Sequence, residues 1–318
     1  MSTAEIMKEI DFVNKTTLDN GLKIVTEHVD SVKSVAVGIW AKTGSRNETH
    51  KMAGVTHFLE HMLFKGTENR SSQDIAMSME SVGGYLNAFT SSEYTCYYSR
   101  CLNTQLERAL DVLSDMVLHP SFPEGEIEKE KKVVIEEMKM YRDSPNDYLF
   151  EQFSEQVFKG HPLGNSTLGF EDTVSAFERQ DLYDYMDDRY QPSNLLISVA
   201  GNVDHGKVVK LISEYFREVD PQETVDQNPS LPDYEVSDIE LTKQIIIKEI
   251  LGKILNLVGL HRINLLLQLI KGNKAIKIDF TLSQARHAIA HAFYREHQLS
   301  FELGLRFSQL FLRDGILL

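Results

Sequence analysis

The chain of 318 residues has only two cysteines, Cys96 and Cys101, too few for a disulfide framework. A reducing compartment, the cytoplasm, is the expected location. No window of about 18 apolar residues is free of charge, so no membrane span is expected. The opening residues, MSTAEIMKEIDFVNK, lack a basic start followed by an apolar run, so no secretory leader is expected. Glu5, Glu9 and Asp11 argue equally against a mitochondrial presequence. Basic charge is in the minority, with 33 Lys and Arg against 47 Asp and Glu and a formal net charge of -14. Duplex nucleic acid is therefore not an expected partner.

What is present is an ordinary globular composition, 42% hydrophobic and 25% charged. That suffices for one large or two modest domains. Charge is unevenly distributed. Residues 245–318 hold 10 Lys and Arg against 5 Asp and Glu, a basic excess inside an acidic chain. Such a break marks two segments of different character.

Local patterns alternate between strand and helix. Leu18-Asp19-Asn20-Gly21-Leu22 is a hairpin signal. Val35, Val37 and Ile39 alternate with small residues, as in a half-buried strand. Met52 to Phe64 has a helical pattern, and Ser71 with Asp74 opens another helix that Gly83-Gly84 ends. Tyr85 to Arg100 reads as two strands around Ser91-Ser92. Helical stretches follow at 106–117, 124–142, 148–158, 181–190 and 205–216, with a buried strand type at Leu195 to Ala200. This order predicts an α+β fold, an antiparallel or mixed sheet flanked by helices, over residues 12–220. An acidic, proline-containing linker is expected over 221–244. The basic, apolar tail at 245–318 is expected to be helical or irregular. Its segment IIIKEILGKILNLVGL reads either as a buried core helix or as an interfacial or partner-binding helix. His287 and His291 stand four apart there with no acid between them, and carry no metal motif.

One stretch, HFLEHMLFKGT at 57–67, carries chemistry. On a helix, His57 and His61 lie on one face and can aim two imidazoles at one point. Glu60 lies between them in angle. Zinc takes such ligands, needs a third from the protein and leaves a position to water. It also acidifies that water to a pKa of about 7, so that a neighbouring carboxylate can take the proton. His-x-x-Glu-His is a zinc-peptidase motif, the inverted form of His-Glu-x-x-His. By itself it leaves two readings open: a zinc site, or a helix whose histidines pack or pair with Glu60. The long acidic helix EGEIEKEKKVVIEEMKMYRD supplies a third ligand candidate. Glu137 follows a Val-Val-Ile run and is expected to be buried. Glu130, seven residues earlier and on the same face, could hydrogen-bond a ligand imidazole. Glu126 and Glu128 are expected in solvent, and Glu136 outside the site.

HFLEHMLFKGT, YLNAFTSSEYTCYY, KEKKVVIEEMKMYRDSP and HPLGNSTLGFED, in that order, resemble the N-terminal half of the pitrilysin/insulinase metallopeptidases. The likeness covers roughly residues 12–220. It is nearest to the bacterial processing-peptidase branch, which is similar to mitochondrial processing peptidase β. The resemblance implies one half of a clamshell, with one Zn2+ per chain held by His57, His61 and Glu137. It implies Glu60 as general base and Glu130 behind a ligand. Asn87, Ala88 and Phe89 match an edge strand that receives substrate backbone; the alternative is an ordinary hairpin strand with Phe89 in the core. The implied activity is a zinc endopeptidase acting on unfolded peptides or leader segments. Such enzymes close a second, similar half over the first, and the sequence from about 245 does not carry that half. A truncated or rearranged second half is therefore expected, with a homodimer or a partner subunit supplying closure. The alternative function is a non-catalytic scaffold or partner subunit.

Overall fold

The strands take their places according to how apolar they are. In the computed structural model, which describes residues 13–217, 219, 240–241 and 278–279, six strands form a mixed sheet in the order β1-β2-β6-β3-β5-β4. The strands are β1 (Val13–Thr17), β2 (Lys23–His28), β3 (Ser34–Ala41), β4 (Tyr85–Thr90), β5 (Thr95–Leu102) and β6 (Leu195–Gly201). Every residue of β6 is buried. It lies in mid-sheet, parallel to β2 and antiparallel to β3. A run such as LLISVA suits a strand covered on both faces. All other pairings are antiparallel. The fold is the α+β mixed sheet expected from the sequence.

The Asn20-Gly21 signal joins β1 to β2, with Gly21 at φ 89°. The loop is wider than a two-residue turn, closing through Leu18 N–H to the Leu22 carbonyl at 2.9 Å. Among the described residues, eight α-helices accompany the sheet: α1 (Val55–Met62), α2 (Ser72–Glu80), α3 (Leu106–Leu118), α4 (Glu124–Asp143), α5 (Pro145–Val157), α6 (Glu171–Ala176), α7 (Arg179–Arg189) and α8 (His205–Tyr215). Ser71 and Asp74 form the expected capping box at the start of α2. The short α6 has no counterpart in the sequence reading, because six residues are too few to show a period.

The main core lies between the helices and one sheet face. Ile24, Val37, Ile39, Tyr97, Ile197 and Val199 meet Phe58, Leu59, Leu110, Leu113, Phe177 and Ile212 there. Burying each such side chain is worth about 1.5–3 kcal/mol. The opposite face carries a smaller cluster of Val25, Leu196 and Ala200, with Val13 and Trp40 packed on it. Phe89 joins that face through edge contacts to Trp40 at 5.8 Å and Tyr94 at 6.1 Å. The linker and tail expected at 221–244 and 245–318 lie outside the described residues, apart from an antiparallel pairing of Glu240–Leu241 with Ile278–Asp279. Among the described residues, no helix is long and apolar enough to cross a membrane.

Candidate metal centre

Helix α1 is almost wholly buried, with Val55, Phe58, Leu59 and Met62 at zero exposure. That packing leaves one side of the helix for His57, Glu60 and His61. It sits between α4 and the edge strand β4. The buried stripe of α4 is Ile127, Glu130, Val134 and Met138, spaced at three and four residues. Glu130 is thus inside the stripe, 5% exposed, while Glu137 lies half-buried at its margin. Glu137 is thus shallower than the burial expected from the Val-Val-Ile run. Val133 is 48% exposed, because the core side of α4 passes through Val134 instead. Glu136 pairs with Lys139 in solvent, Glu128 with Lys131, and Glu126 with Lys129.

The three groups singled out as ligands come together. One donor atom from each of His57, His61 and Glu137 lies within 4.8 Å of the other two. Glu137 Oε2 is 3.7 Å from His57 Nε2 and 3.7 Å from His61 Nε2. These separations are too long for hydrogen bonds. They are close to the ligand–ligand spacing of about 3.4 Å that a tetrahedral ion with bonds of about 2.1 Å requires. The other nitrogen of His57, Nδ1, is buried and has no hydrogen-bond partner. A buried imidazole with neither nitrogen satisfied is unfavourable, and a cation on the Nε2 side satisfies one of them. The donor set of two imidazoles and a carboxylate fits zinc.

With protein groups alone around them, burial dominates the electrostatics. It lowers the His57 pKa to about 3, assisted by the nearby His61. The ring is therefore neutral, the form that ligates. Burial also raises the carboxyl pKa of Glu137 and of Glu60 above the ordinary value. A dication beside these carboxylates acts in the opposite direction.

Around this trio stands a second layer. Glu130 Oε2 accepts from His61 Nδ1 at 3.0 Å, and its Oε1 pairs with Lys65. The bond leaves His61 Nε2 facing Glu137. Lys65 makes burial of Glu130 tolerable, since an unpaired buried charge is costly. Glu60 does not pair with the histidines. Its Oε2 accepts from the Thr90 hydroxyl at 2.6 Å. Thr90 ends β4, so the strand holding Asn87, Ala88 and Phe89 also orients Glu60. The sequence reading missed Thr90 and Lys65. Lys65, four residues after His61, lies in the turn just past the end of α1; Thr90 shares the sheet face of Ala88. Either spacing could have suggested them.

Strand β4 is the sheet edge, paired on one side with β5 only. Asn87 partly covers its open side: Asn87 Oδ1 accepts from the Ala88 N–H at 2.9 Å, and Nδ2 donates to Tyr85 Oη at 2.7 Å. A polar cap of this kind hinders edge-to-edge pairing yet can swing aside. Phe89 points to the far sheet face, among Trp40, Tyr94 and Tyr98. Only its backbone is available at the edge.

The chain matches the family model for insulinase (peptidase family M16) over residues 23–171. It matches the M16 inactive-domain model over 176–260, which carries the likeness into the first part of the tail. The chain belongs to the insulinase (M16) family of peptidases. It is 46% identical over 204 residues to the uncharacterized zinc protease YmxG of Bacillus subtilis, covering 64% of this chain and 50% of that protein. An uncharacterized zinc protease of Streptomyces coelicolor is 44% identical over 207 residues, covering 65% and 45%. The chain thus spans about half the length of these relatives. Among solved structures, a protease from Helicobacter pylori aligns with a TM-score of 0.63 at 28% identity, covering 70% of this chain and 54% of that one. The first half of the periplasmic protease PqqL from Escherichia coli gives 0.65 at 23% identity, covering 71% and 50%, a likeness of fold.

Proposed function

We propose that this chain provides the zinc-binding half of a metalloendopeptidase that hydrolyses extended or unfolded peptides, leader segments included. The observation that carries the reading is the convergence of His57, His61 and Glu137 donor atoms within 4.8 Å of one another. That donor set on two separate helices, with a carboxylate one residue before His61, has no evident use in packing. In this reading His57, His61 and Glu137 hold one zinc ion per chain. Zinc, when bound, acidifies water and polarises a carbonyl.

The remaining work falls to the protein. Glu60 serves as general base: with Oε2 held by Thr90, Oε1 takes the proton from water and later delivers it to the departing amine. Glu130 fixes the ring of His61. The open edge of β4 receives the substrate backbone as an added strand at Asn87 to Phe89, once the Asn87 side chain turns away from the Ala88 N–H. Because Thr90 lies on the same strand, substrate seating and base orientation are mechanically linked. A closing half supplied by a partner subunit or a second copy would exclude water from the reacting bond.

Metal analysis together with a cleavage assay on unstructured peptides, with and without chelator, tests this. Stoichiometric zinc and chelator-sensitive cleavage are expected. Protein without zinc would sink the reading. The second reading, a scaffold or partner subunit, draws on the chain's span of about half its relatives. Stoichiometric zinc with no cleavage, but with binding to a family partner, selects it.

A further inference from the structure

Helix α1 begins in a way its own residues do not support. Its N-cap is Gly54, at φ 92°, which has no side chain to receive the first-turn amides. A side chain is barred there, since a Cβ would sit 2.6 Å from the Leu168 carbonyl oxygen. The turn is also dry: Val55 and Thr56 have zero exposure. Its orphan N–H groups therefore need a protein acceptor.

Glu48 supplies it from six residues upstream. Its Oε2 accepts from the Gly54 N–H at 2.7 Å, and its Oε1 from the Thr56 N–H at 2.9 Å. The Thr56 hydroxyl donates to the same Oε1. Negative charge at a helix N-terminus is favourable. Even so, burial at 5% exposure pushes the carboxyl up to about 7 against these three donors. A buried ionisable group of this kind is a poor device for stability alone. Its value lies in geometry, because two fixed oxygens grip the turn at two positions, Gly54 and Thr56.

Thr56 directly precedes His57, and α1 has only eight residues. Any slide or rotation at its start therefore reaches both rings with little loss. We propose that Glu48 is a positioning residue of the metal centre, setting the placement of α1 so that His57 and His61 converge on Glu137. The proposal rests on the zinc reading above.

The test is zinc affinity of the full chain at pH 8, where the Glu48 carboxyl is ionised, measured by competition with a chromophoric chelator. Glu48→Gln, Glu48→Ala and the distant core control Ile212→Val are compared, with amide hydrogen exchange at Gly54 and Thr56 in the metal-free proteins. Expected is a loss of about tenfold or more in zinc affinity for Glu48→Gln, more for Glu48→Ala, with faster exchange in the first turn of α1. Ile212→Val should bind zinc as the wild type does whatever its melting temperature. Glu48→Gln keeps one acceptor oxygen and decides the matter if Glu48→Ala does not fold. Wild-type affinity in Glu48→Gln, or a loss matched by Ile212→Val, overturns the proposal while the zinc reading stands. A wild-type protein that takes up no zinc overturns the zinc reading and this proposal with it.

Discussion

Helices α1 and α4 face each other across the candidate centre and are built in opposite ways. The first has eight residues, six of them buried, and takes its stability from packing; alone it would be too short to form. The second has twenty residues, of which only four are buried. Its exposed side is laced with Glu–Lys pairs at three-residue spacing, neighbours on the helix surface that water screens. The short helix is a packed insert that holds two imidazoles and the Glu60 carboxylate at fixed angles. The long helix is a beam with a polar surface, and only two of its acids turn inward. Precision resides in the buried element, and the exposed one contributes by being docked against it.

Substitutions should separate the two roles. Glu60→Gln on α1 should lower kcat by about 10²–10⁴-fold, the usual worth of a general base, with zinc content unchanged by metal analysis. Full activity in that variant would remove Glu60 from the base role. Glu137→Gln on α4 should instead weaken zinc binding itself, so that activity returns only at raised zinc concentration.

The buried start of α1 should also show in the pH dependence of stability. The Glu48 carboxyl titrates near 4.5 in the unfolded chain and at about 7 in the folded one. Between those values the folded state holds the proton more tightly. Its contribution to stability is present in full below pH 4.5 and is lost as pH rises through about 7. The loss amounts to about 3 kcal/mol at about 1.4 kcal/mol per pH unit. Urea unfolding at pH 4.5 and pH 8 should show that decline in wild type and a flatter one in Glu48→Gln. Equal slopes would mean the carboxyl is not buried as described.

Smaller effects concern groups one step removed. Glu130→Gln should weaken zinc binding by about 10–100-fold, as changes behind a ligand histidine commonly do. Thr90→Val should lower kcat by about tenfold, the worth of one hydrogen bond to a charged group, with KM little changed. Thr90→Ser should restore kcat, and failure of that rescue would show that the methyl group, not the hydroxyl, matters.

Much of this was readable from residue order. The hairpin at Asn20-Gly21, the alternation of β3, the capping box at Ser71 and the buried character of β6 are all local signals, and the elements formed where they pointed. Glu130 and Glu137 were also legible as one face of one helix. Their depths were not, because the Val-Val-Ile run straddles the boundary of the buried stripe: Val134 is inside and Val133 outside. Phe89 was read as a strand residue, but its turn toward Trp40 depends on which sheet face the helices cover. Lys65 and Thr90 lie inside the stretches HFLEHMLFKGT and YLNAFTSSEYTCYY but drew no attention, because the partners that give them a role, Glu130 and Glu60, come from other elements.

The sequence by itself determined the angular set of His57, Glu60 and His61, since helical period fixes what four residues of spacing can do. It did not determine which of the six glutamates of α4 would meet the imidazoles, what would steady Glu60, or what would cap α1. Those answers join groups far apart in the chain, such as Thr90 to Glu60 and Glu130 to His61. Only the packing of α1 between α4 and β4 brings such pairs within reach, and no local period encodes that contact.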